Sequence, residues 1–489
     1  VRVPLRLAAV AADDHAAGAE SNPRVDARPK VGVAPVARVA AERPGEAGSV
    51  ALGDAPGEAD VLAGAVELPV GGRLPREFVQ AFDSLDRDAH GRTDRVDRPK
   101  AFRSLAPPFE AGSVKPPPEK VGRDVSLRAL NYLELESELD RSGIGTATDQ
   151  QRAALSRTDV DVVTSPWRGG GPARASLSAL RGRGPFDDYD LAHCNLVGPA
   201  SVAVARHARR NGLPLILHAH VTREDFAESF RGSTAVGPVL GRYLRWFYSQ
   251  ADLVLCPSAY TKRVLESYPV DAPILPVTNG VDAESLSGFE TLREEYRERY
   301  DLDGMVVFAV GNVFERKGLT TFCELARATD YDFAWFGPYD AGPHASKTVR
   351  RWVENPPENV TFTGWIDDVR GAFGAGDVYL FPTKNENQGI AVLEAMACGK
   401  AVVLRDIPVF EEFYTHGHDC LKCSTPAEFE RALDLLARDD ALRRRLGENA
   451  RETAAEHDLD RVGETLAAAY REVDAAKREG RPPDVSDLR

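Results

Sequence analysis

The chain has 489 residues, with 61 basic and 75 acidic side chains and a formal net charge of −14; that length fits two or three domains, and that sign argues against general nucleic-acid binding, which needs a basic surface. Six cysteines are scattered without a regular framework, which points to a reducing compartment rather than a disulfide scaffold. No apolar run reaches the length of a membrane-spanning helix, and no segment reads as a signal peptide.

Residues 1–124 contain no Ile, Tyr, Trp, Cys or Met, hold 14 of the 33 prolines, and nearly balance their charges with 18 basic and 19 acidic side chains. Such a stretch has little with which to build a core. Apart from a short helical pattern near Pro75–Leu85 it shows no period, and the proline run Pro116–Pro118 separates it from the rest of the chain. It is expected to be disordered, or a translated upstream region outside the working part, with Val125 as a candidate natural start. Only 11 of the basic residues are Lys. An acidic surface poor in Lys suits a high-salt cytoplasm, and the Arg bias equally fits a GC-rich genome.

From residue 127 onward apolar runs alternate with helical patterns. Strands are expected at Leu127–Leu133, Val160–Thr164, Asp190–Cys194, Pro214–His218, Asp252–Pro257 and Ile274–Thr278, with helices such as Ala200–Asn211 and Tyr260–Tyr268 between them. After the turn Thr278-Asn-Gly-Val-Asp282 and a charged helix, Leu292–Tyr300, comes a second series: Met305–Gly311, Phe333–Gly337, Val360–Thr363, Asp377–Pro382 and Lys400–Leu404. Helices Thr320–Ala328, Lys347–Glu354, Asp368–Ala375 and Ile390–Ala397 intervene, and Phe429–Ala437, Ala441–Ala450 and Val462–Tyr470 close the chain. The rhythm predicts two doubly wound α/β domains, each a parallel sheet covered on both faces. The expected division is 125–282, 283–458, and a final helix and tail at 459–489. Ligands of such sheets bind beyond the carboxyl ends of the strands, so the site is expected in a cleft between the domains.

The segment Glu386-Asn-Gln-Gly-Ile-Ala-Val-Leu-Glu394 comes after one of those strands and runs into a helix that begins at Gly389. A helix start offers free amides and a positive dipole end, which suit an anion. Carboxylates at Glu386 and Glu394 can each accept two hydrogen bonds from a vicinal diol. A phosphate seat with two diol acceptors describes a sugar nucleotide; the alternative is an amphipathic helix with two solvated acids. This segment resembles the signature of the retaining family-four (group one) glycosyltransferases of GT-B fold, in which two Glu enclose seven residues that include a glycine and an aliphatic side chain. The resemblance covers residues 127 to about 470. It implies that Glu386 contacts the donor hexose and Glu394 the donor ribose, while the amides of Gly389 and Ile390 hold sugar and phosphate.

The same resemblance assigns other positions. Gly311-Asn-Val-Phe-Glu-Arg316-Lys317 matches the family's diphosphate-binding strand end, with Lys317 in place of its Lys and Asn312 where the family carries Arg. Arg316 is an alternative source of that charge. A basic pair at a helix start opposes the dipole, so a negative group is expected nearby. Gly143 and Gly145 match the glycine loop beside the donor diphosphate, although locally they also read as a plain turn. Gly337 ends the second strand of the second domain, and Gly364-Trp365 the third, near where the family packs the nucleotide base.

His218 and His220 face one side of an extended chain. By resemblance His220 touches the donor sugar, with His218 as alternative; His193 and Asn195, at the end of the previous strand, and His218 are read as acceptor-side. A strand-end histidine bonded to backbone is the competing reading for either of the pair. Asp159-Val-Asp161 opens a strand and is read as structural. The pair Cys420 and Cys423, near His416 and His418, is read as apolar positions of a short strand rather than a metal site.

The chain is therefore expected to be a metal-independent hexosyltransferase. It is expected to need no cofactor, to use a nucleoside-diphosphate sugar, and to retain anomeric configuration. The resemblance is strongest to transferases that add glucose to diacylglycerol-type lipids, so a lipid or lipid-linked glycan acceptor is expected, in the cytoplasm at the inner face of the cell membrane. Arg242–Phe247, with Arg206, Arg209 and Arg210, suits a membrane surface; the alternative places Trp246 and Phe247 in the core. Two further readings are a non-catalytic sugar-nucleotide-binding regulator and a GT-B sugar-nucleotide epimerase.

Overall fold

The structure is a computed structural model that describes residues 126–488 apart from 168–176, 178–180, 182–183, 186–187, 224–232, 268–269, 341 and 343–344, and gives the backbone alone for 233–239. The expectations for residues 1–124 lie outside the described residues.

Among the described residues the first half forms a six-stranded parallel sheet: β1 (Arg128–Tyr132), β2 (Asp161–Val163), β3 (Leu191–Cys194), β4 (Leu215–His218), β5 (Leu253–Cys256) and β6 (Ile274–Pro276), in the order β2-β1-β3-β4-β5-β6. The helices that accompany it are α1 (Glu136–Leu139), α2 (Gly143–Ser156), α3 (Pro199–Asn211), α4 (Ser233–Tyr248) and α5 (Ala259–Ser267). Strands β3, β4 and β5 are buried along their whole length. That is why they read as unbroken apolar runs rather than alternating ones. One face packs Leu130, Leu215, Leu217 and Val254 against α3 and α4, and the other packs Ala129, Leu191, Ile216 and Leu253.

The second half begins with α6 (Arg293–Tyr300), and its six described strands are β7 (Val306–Val310), β8 (Asp332–Phe336), β9 (Val360–Gly364), β10 (Val378–Phe381), β11 (Ala401–Arg405) and β12 (Leu421–Cys423), ordered β12-β11-β10-β7-β8-β9, all parallel. The helices α7 (Leu319–Ala328), α8 (Lys347–Glu354), α9 (Arg370–Ala375), α10 (Ile390–Ala397), α11 (Phe410–Phe413), α12 (Pro426–Arg438) and α13 (Asp440–Ala455) accompany them. Two apolar layers, one around Phe308, Phe336, Tyr379 and Phe381 and one around Phe322, Phe333, Trp335 and Leu380, sandwich the sheet. The two-domain, GT-B-like expectation is met.

The last helix, α14 (Leu459–Glu479), leaves the second lobe and covers the first. Val462, Leu466, Tyr470 and Val473 join the layer under Ala129 and Leu253. Both α13 and α14 run further than their apolar periods indicate. Asp439 and Asp458 cap their starts, and Gly480, at φ 68°, ends α14. Caps supply the hydrogen bonds that an apolar period cannot register.

Each sheet reverses its strand order once. In the first the reversal falls between β1 and β3, and in the second between β10 and β7. Helices diverge to opposite faces at such a point and leave a crevice beyond the strand ends. The carboxyl ends of β10 and β7 carry Pro382–Gly389 and Gly311–Lys317; those of β1, β3 and β4 carry Asn131, Asn195 and His220. The fold itself therefore brings these sequence segments to the two crevices.

Candidate active site

In the second lobe the chain leaves β7 through Gly311 and Asn312 and enters a short 3₁₀ turn at Glu315–Lys317. The Gly311 carbonyl accepts from Trp335 Nε1 at 2.9 Å and its amide donates to Phe336 O, so Gly311 and Gly337 lie side by side at the ends of β7 and β8. Asn312 is half-exposed and faces no charged partner among the described residues.

Lys317 and Glu386, 69 residues apart, meet at the crevice, with Nζ 2.6 Å from Oε2. Both are largely buried, at 19% and 11% side-chain exposure. Lys317 also lies 5.0 Å above the Phe381 ring. The negative group that the basic pair required is thus Glu386. Burial alone raises a carboxyl, but Lys317 and then Arg316 outweigh it and hold Glu386 below the usual carboxylate range. Arg316 plays a different part from a free phosphate ligand. Its guanidinium donates to Asn385 O at 2.9 Å and stands 3.7 Å from Glu386, while its own carbonyl accepts from Lys384 N at 2.8 Å. It braces the loop that carries Glu386.

Gly389 adopts φ 90° and starts α10, and no side chain caps that helix. A left-handed residue here turns the loop abruptly, and an L side chain would be strained in it. Ile390 is the first residue of α10, and an uncapped helix start of this kind suits an anion. Glu394 lies one turn into the helix, half-buried, its carboxylate without an ion pair or hydrogen bond among the described residues. Burial pushes its carboxyl up to about 7. A diol or another donor at this point would restore what burial takes away.

The first lobe presents a buried polar cluster. His193, His218 and His220 stack in a row, with ring centroids 5.5 Å and 3.9 Å apart. Asn195 Oδ1 and Gln151 Nε2 stand 3.1 Å and 3.3 Å from His220 Nε2, and Gln151 Nε2 also lies 3.1 Å from His218 Nδ1. Asn131 joins Gln151 and Asn195, and Tyr470 of α14 reaches His193 Nδ1 at 2.6 Å. Burial drives His193 and His220 down to about 3 and holds His218 well below the usual histidine range, so all three are neutral near pH 7.

This placement changes the part expected of several residues. His193, at 0% exposure, Asn195, at 1%, and His218, at 3%, lie behind His220 rather than on an open acceptor surface. The extended-chain period puts them on the cleft side of the sheet, but α2 and α14 cover them. His220, at 9%, is the outermost of the row.

Gly143 and Gly145, matched to a glycine loop, instead lie in the first turn of α2. Ser142 caps it by accepting from Gly145 N, and a Cβ on Gly145 would stand 2.2 Å from Leu139 O. Gly145 is thus small so that α1 and α2 can approach, while Gly143 is exposed. Asp161 pairs with Arg128 at 3.1 Å, and Asp159 with Arg471, at the amino end of the sheet away from the crevice. Cys420 and Cys423 are buried thiols beside or on β12, with His416 and His418 exposed. Phe247 is core at 1% exposure, whereas Trp246 is exposed at 37% beside exposed Arg242 and Arg245.

The lobes meet beside Glu386. Asn387 Nδ2 donates to His220 O at 3.2 Å, and the Asn387 carbonyl accepts from Ser258 Oγ at 2.8 Å and from Thr261 Oγ1 at 3.3 Å. Gln388 Oε1 accepts from Asn279 N and Nδ2 at 2.9 and 2.8 Å. Glu412 accepts from Ala259 N and Tyr260 N at 2.7 and 2.9 Å. Arg141 of the first lobe lies 4.7 Å over the exposed ring of Trp365 in the second. Sequence reasoning missed these bridges. Two consecutive carboxamides between Glu386 and Gly389 were the one signal that pointed to them.

Residues 293–453 match the family model for glycosyl transferases group 1, and residues 142–285 that for glycosyltransferase family 4. The chain is 31% identical over 360 residues to a processive diacylglycerol alpha-glucosyltransferase of Acholeplasma laidlawii, covering 72% of this chain and all of that protein. Its fold is that of a sucrose-phosphate synthase from Thermosynechococcus elongatus (TM-score 0.57, 18% identity, 72% of this chain and 100% of that one). It is also that of Anabaena Alr3699/HepE in complex with UDP and glucose (TM-score 0.55, 16% identity, 70% and 99%). With an identity above 30% over the whole length of a relative, and with both family models matched on the lobes that carry the crevice, this chain belongs to the family-four, group 1 glycosyltransferases of GT-B fold.

Proposed function

We propose that the protein transfers a hexose from a nucleoside-diphosphate sugar to a hydroxyl of a diacylglycerol-type lipid or lipid-linked glycan, with retention of configuration. The observation that carries this reading is the meeting of Lys317, Glu386 and the uncapped start of α10 at one crevice. The diphosphate would lie against Lys317 and the α10 amides, whose fixed positive charge opposes the charge that develops on the leaving group. Glu386, held ionised, would accept from hexose hydroxyls, and Glu394 from the ribose. Ile390, Gly389, Gly311, Gly337 and Asn312 would contribute backbone or small polar contacts around the phosphates and sugar.

His220 would face the donor from the other lobe. As a neutral imidazole it can share a hydrogen bond with a sugar hydroxyl without adding charge. Retention would result from attack on the leaving-group face, the departing phosphate taking the acceptor proton. Among the described residues no three His, Cys, Asp or Glu group as a metal site would. The reading assigns the electrostatic work to Lys317 and the helix start, so EDTA should leave the rate unchanged.

The lipid acceptor rests on the diacylglycerol alpha-glucosyltransferase relative. It is supported by exposed Trp246, Arg242 and Arg245 on α4, beside Arg206, Arg209 and Arg210 of α3. Arg209 donates to Gln250 at 2.6 Å, which ties the ends of the two helices together. Among the described residues no helix is long and apolar enough to cross a membrane, so this reading has the protein act at the inner face of the cell membrane through that basic patch. Thermal-shift screening of nucleotide sugars, and then acceptor trials with diacylglycerol in mixed micelles, test it. The proposal expects an α-linked glycolipid from an α-linked donor; an inverted product or transfer to soluble acceptors alone would count against it.

A further inference from the structure

Asn387 stands between the two groups placed on opposite sides of the donor. It is the residue directly after Glu386, its amide donates to Glu386 Oε1 at 3.4 Å, and its side chain donates to the backbone oxygen of His220 at 3.2 Å. Thr261 Oγ1 lies 3.4 Å from Asn387 Oδ1, so the carboxamide is used at both ends. All partners of this junction are buried: Ser258 at 1%, Thr261 at 0% and Asn387 at 8%. The assignment of the carboxamide is fixed by its neighbours, because a backbone carbonyl can only accept and must face the NH2 group.

The junction also has a second anchor. Ser258 precedes α5 and Thr261 lies in its first turn, and the first two amides of that helix are held by Glu412 from the second lobe. The second lobe therefore grips the start of α5 twice, once from the loop that carries Glu386. These bonds hold the loop that carries Glu386 against the strand end that carries His220.

We propose that Asn387 is a positioning residue that converts lobe closure into the catalytic spacing of Glu386 and His220. This rests on the donor site proposed at the crevice of the second lobe. Among the described residues Asn387 hydrogen-bonds neither Lys317 nor the first residues of α10, so the proposed nucleotide seat draws on groups other than Asn387. Its contribution should fall on turnover and on closure, not on nucleotide affinity. A misplacement of about 1 Å in a reacting group can cost about 100-fold in rate.

Asn387→Asp tests this with nearly unchanged shape, since an oxygen would then face the His220 carbonyl where an NH2 now donates. Thr261→Val tests the other end from the other lobe. Three readings are taken on the full chain: kcat and KM for transfer to diacylglycerol, calorimetric affinity for UDP, ADP and GDP, and radius of gyration by small-angle scattering with and without the nucleotide that binds. For Asn387→Asp we expect kcat to fall about 100-fold, the nucleotide Kd to stay within about threefold, and the nucleotide-bound radius to remain at its larger, ligand-free value. Thr261→Val should move the same readings by a smaller factor. A near-normal kcat, or a Kd that worsens in step with kcat, would overturn the proposal. If the unaltered protein transfers no sugar, the donor-site reading fails, and the scattering arm decides this one alone: equal radii for variant and parent would sink it.

Discussion

Lys317 Nζ lies 2.6 Å from Glu386 Oε2 across a crevice formed where the strand order reverses. The pair is largely buried, so each member needs the other. Removing one side of a buried pair typically costs about 3–5 kcal/mol. Lys317→Met should therefore destabilise the protein by about 3 kcal/mol near neutral pH, and should weaken nucleoside-diphosphate binding at least about tenfold. The Glu386 contribution has a definite sign. Its carboxyl is depressed in the folded state, so its stabilisation is present above the ordinary carboxylate range and lost as pH falls through the folded value. Denaturant melts from pH 7 to pH 3 should show that loss in the parent and not in Lys317→Met; parallel curves would be the contrary result.

Glu394 titrates in the opposite sense. Its carboxyl is raised to about 7 by burial, so the folded state binds the proton more tightly than the unfolded one. Stability contributed by this group is fully present below the usual Glu range and declines as pH rises toward about 7. Glu394→Gln should raise the Tm of the ligand-free protein at pH 8 and leave it nearly unchanged at pH 4. A ribose diol needs the ionised form as acceptor, so nucleotide affinity should rise between pH 6 and pH 8 in the parent and stay flat in the variant. Affinity that falls over that interval would contradict the assignment.

The three stacked histidines predict acid lability. Burial depresses His193 and His220 to about 3, and lowers His218 as well. The unfolded chain therefore binds protons that the folded one refuses. Stability is complete above the ordinary histidine range and falls as pH drops from about 6.5 toward 3. Each histidine contributes up to about 1.4 kcal/mol per pH unit in that window. His218→Gln should reduce the slope of unfolding free energy between pH 6 and pH 4 by about that amount; an unchanged slope would mean that His218 is accessible to water.

Trp246, Arg242 and Arg245 project from α4 next to the basic end of α3. A basic side chain near an anionic surface contributes about 1 kcal/mol. Trp246→Ser combined with Arg245→Glu should cut flotation with phosphatidylglycerol vesicles at least about tenfold while sparing nucleotide binding. Equal flotation of parent and variant would move the membrane contact elsewhere.

Much of this molecule could be read from its residues, for identifiable reasons. Parallel strands such as Leu215–His218 and Val378–Phe381 are buried on both faces, so they appear as short apolar runs between turn residues. That Lys317 and Glu386 meet was legible because a strand end and a loop before a helix start leave a fixed spacing. The polar cluster of the first lobe was not. His193 owes its burial to Tyr470, 277 residues further on, and no local period reports that. Gly145 was misplaced because a small residue at a helix–helix contact looks like one at a phosphate loop. The Asn387 and Gln388 bridges depend on how two lobes meet, which neither lobe's own pattern encodes.

The most direct test of the central claim compares the full chain with its Glu386→Ala variant, supplied with the nucleotide sugar that binds and with diacylglycerol in mixed micelles. Glycolipid and free nucleoside diphosphate are then quantified together. The transferase account predicts equimolar formation of both by the parent, dependent on acceptor, and a loss of about 100-fold or more in the variant with the fold intact. Tight nucleotide-sugar binding without acceptor-dependent release, or near-normal turnover in Glu386→Ala, would contradict it.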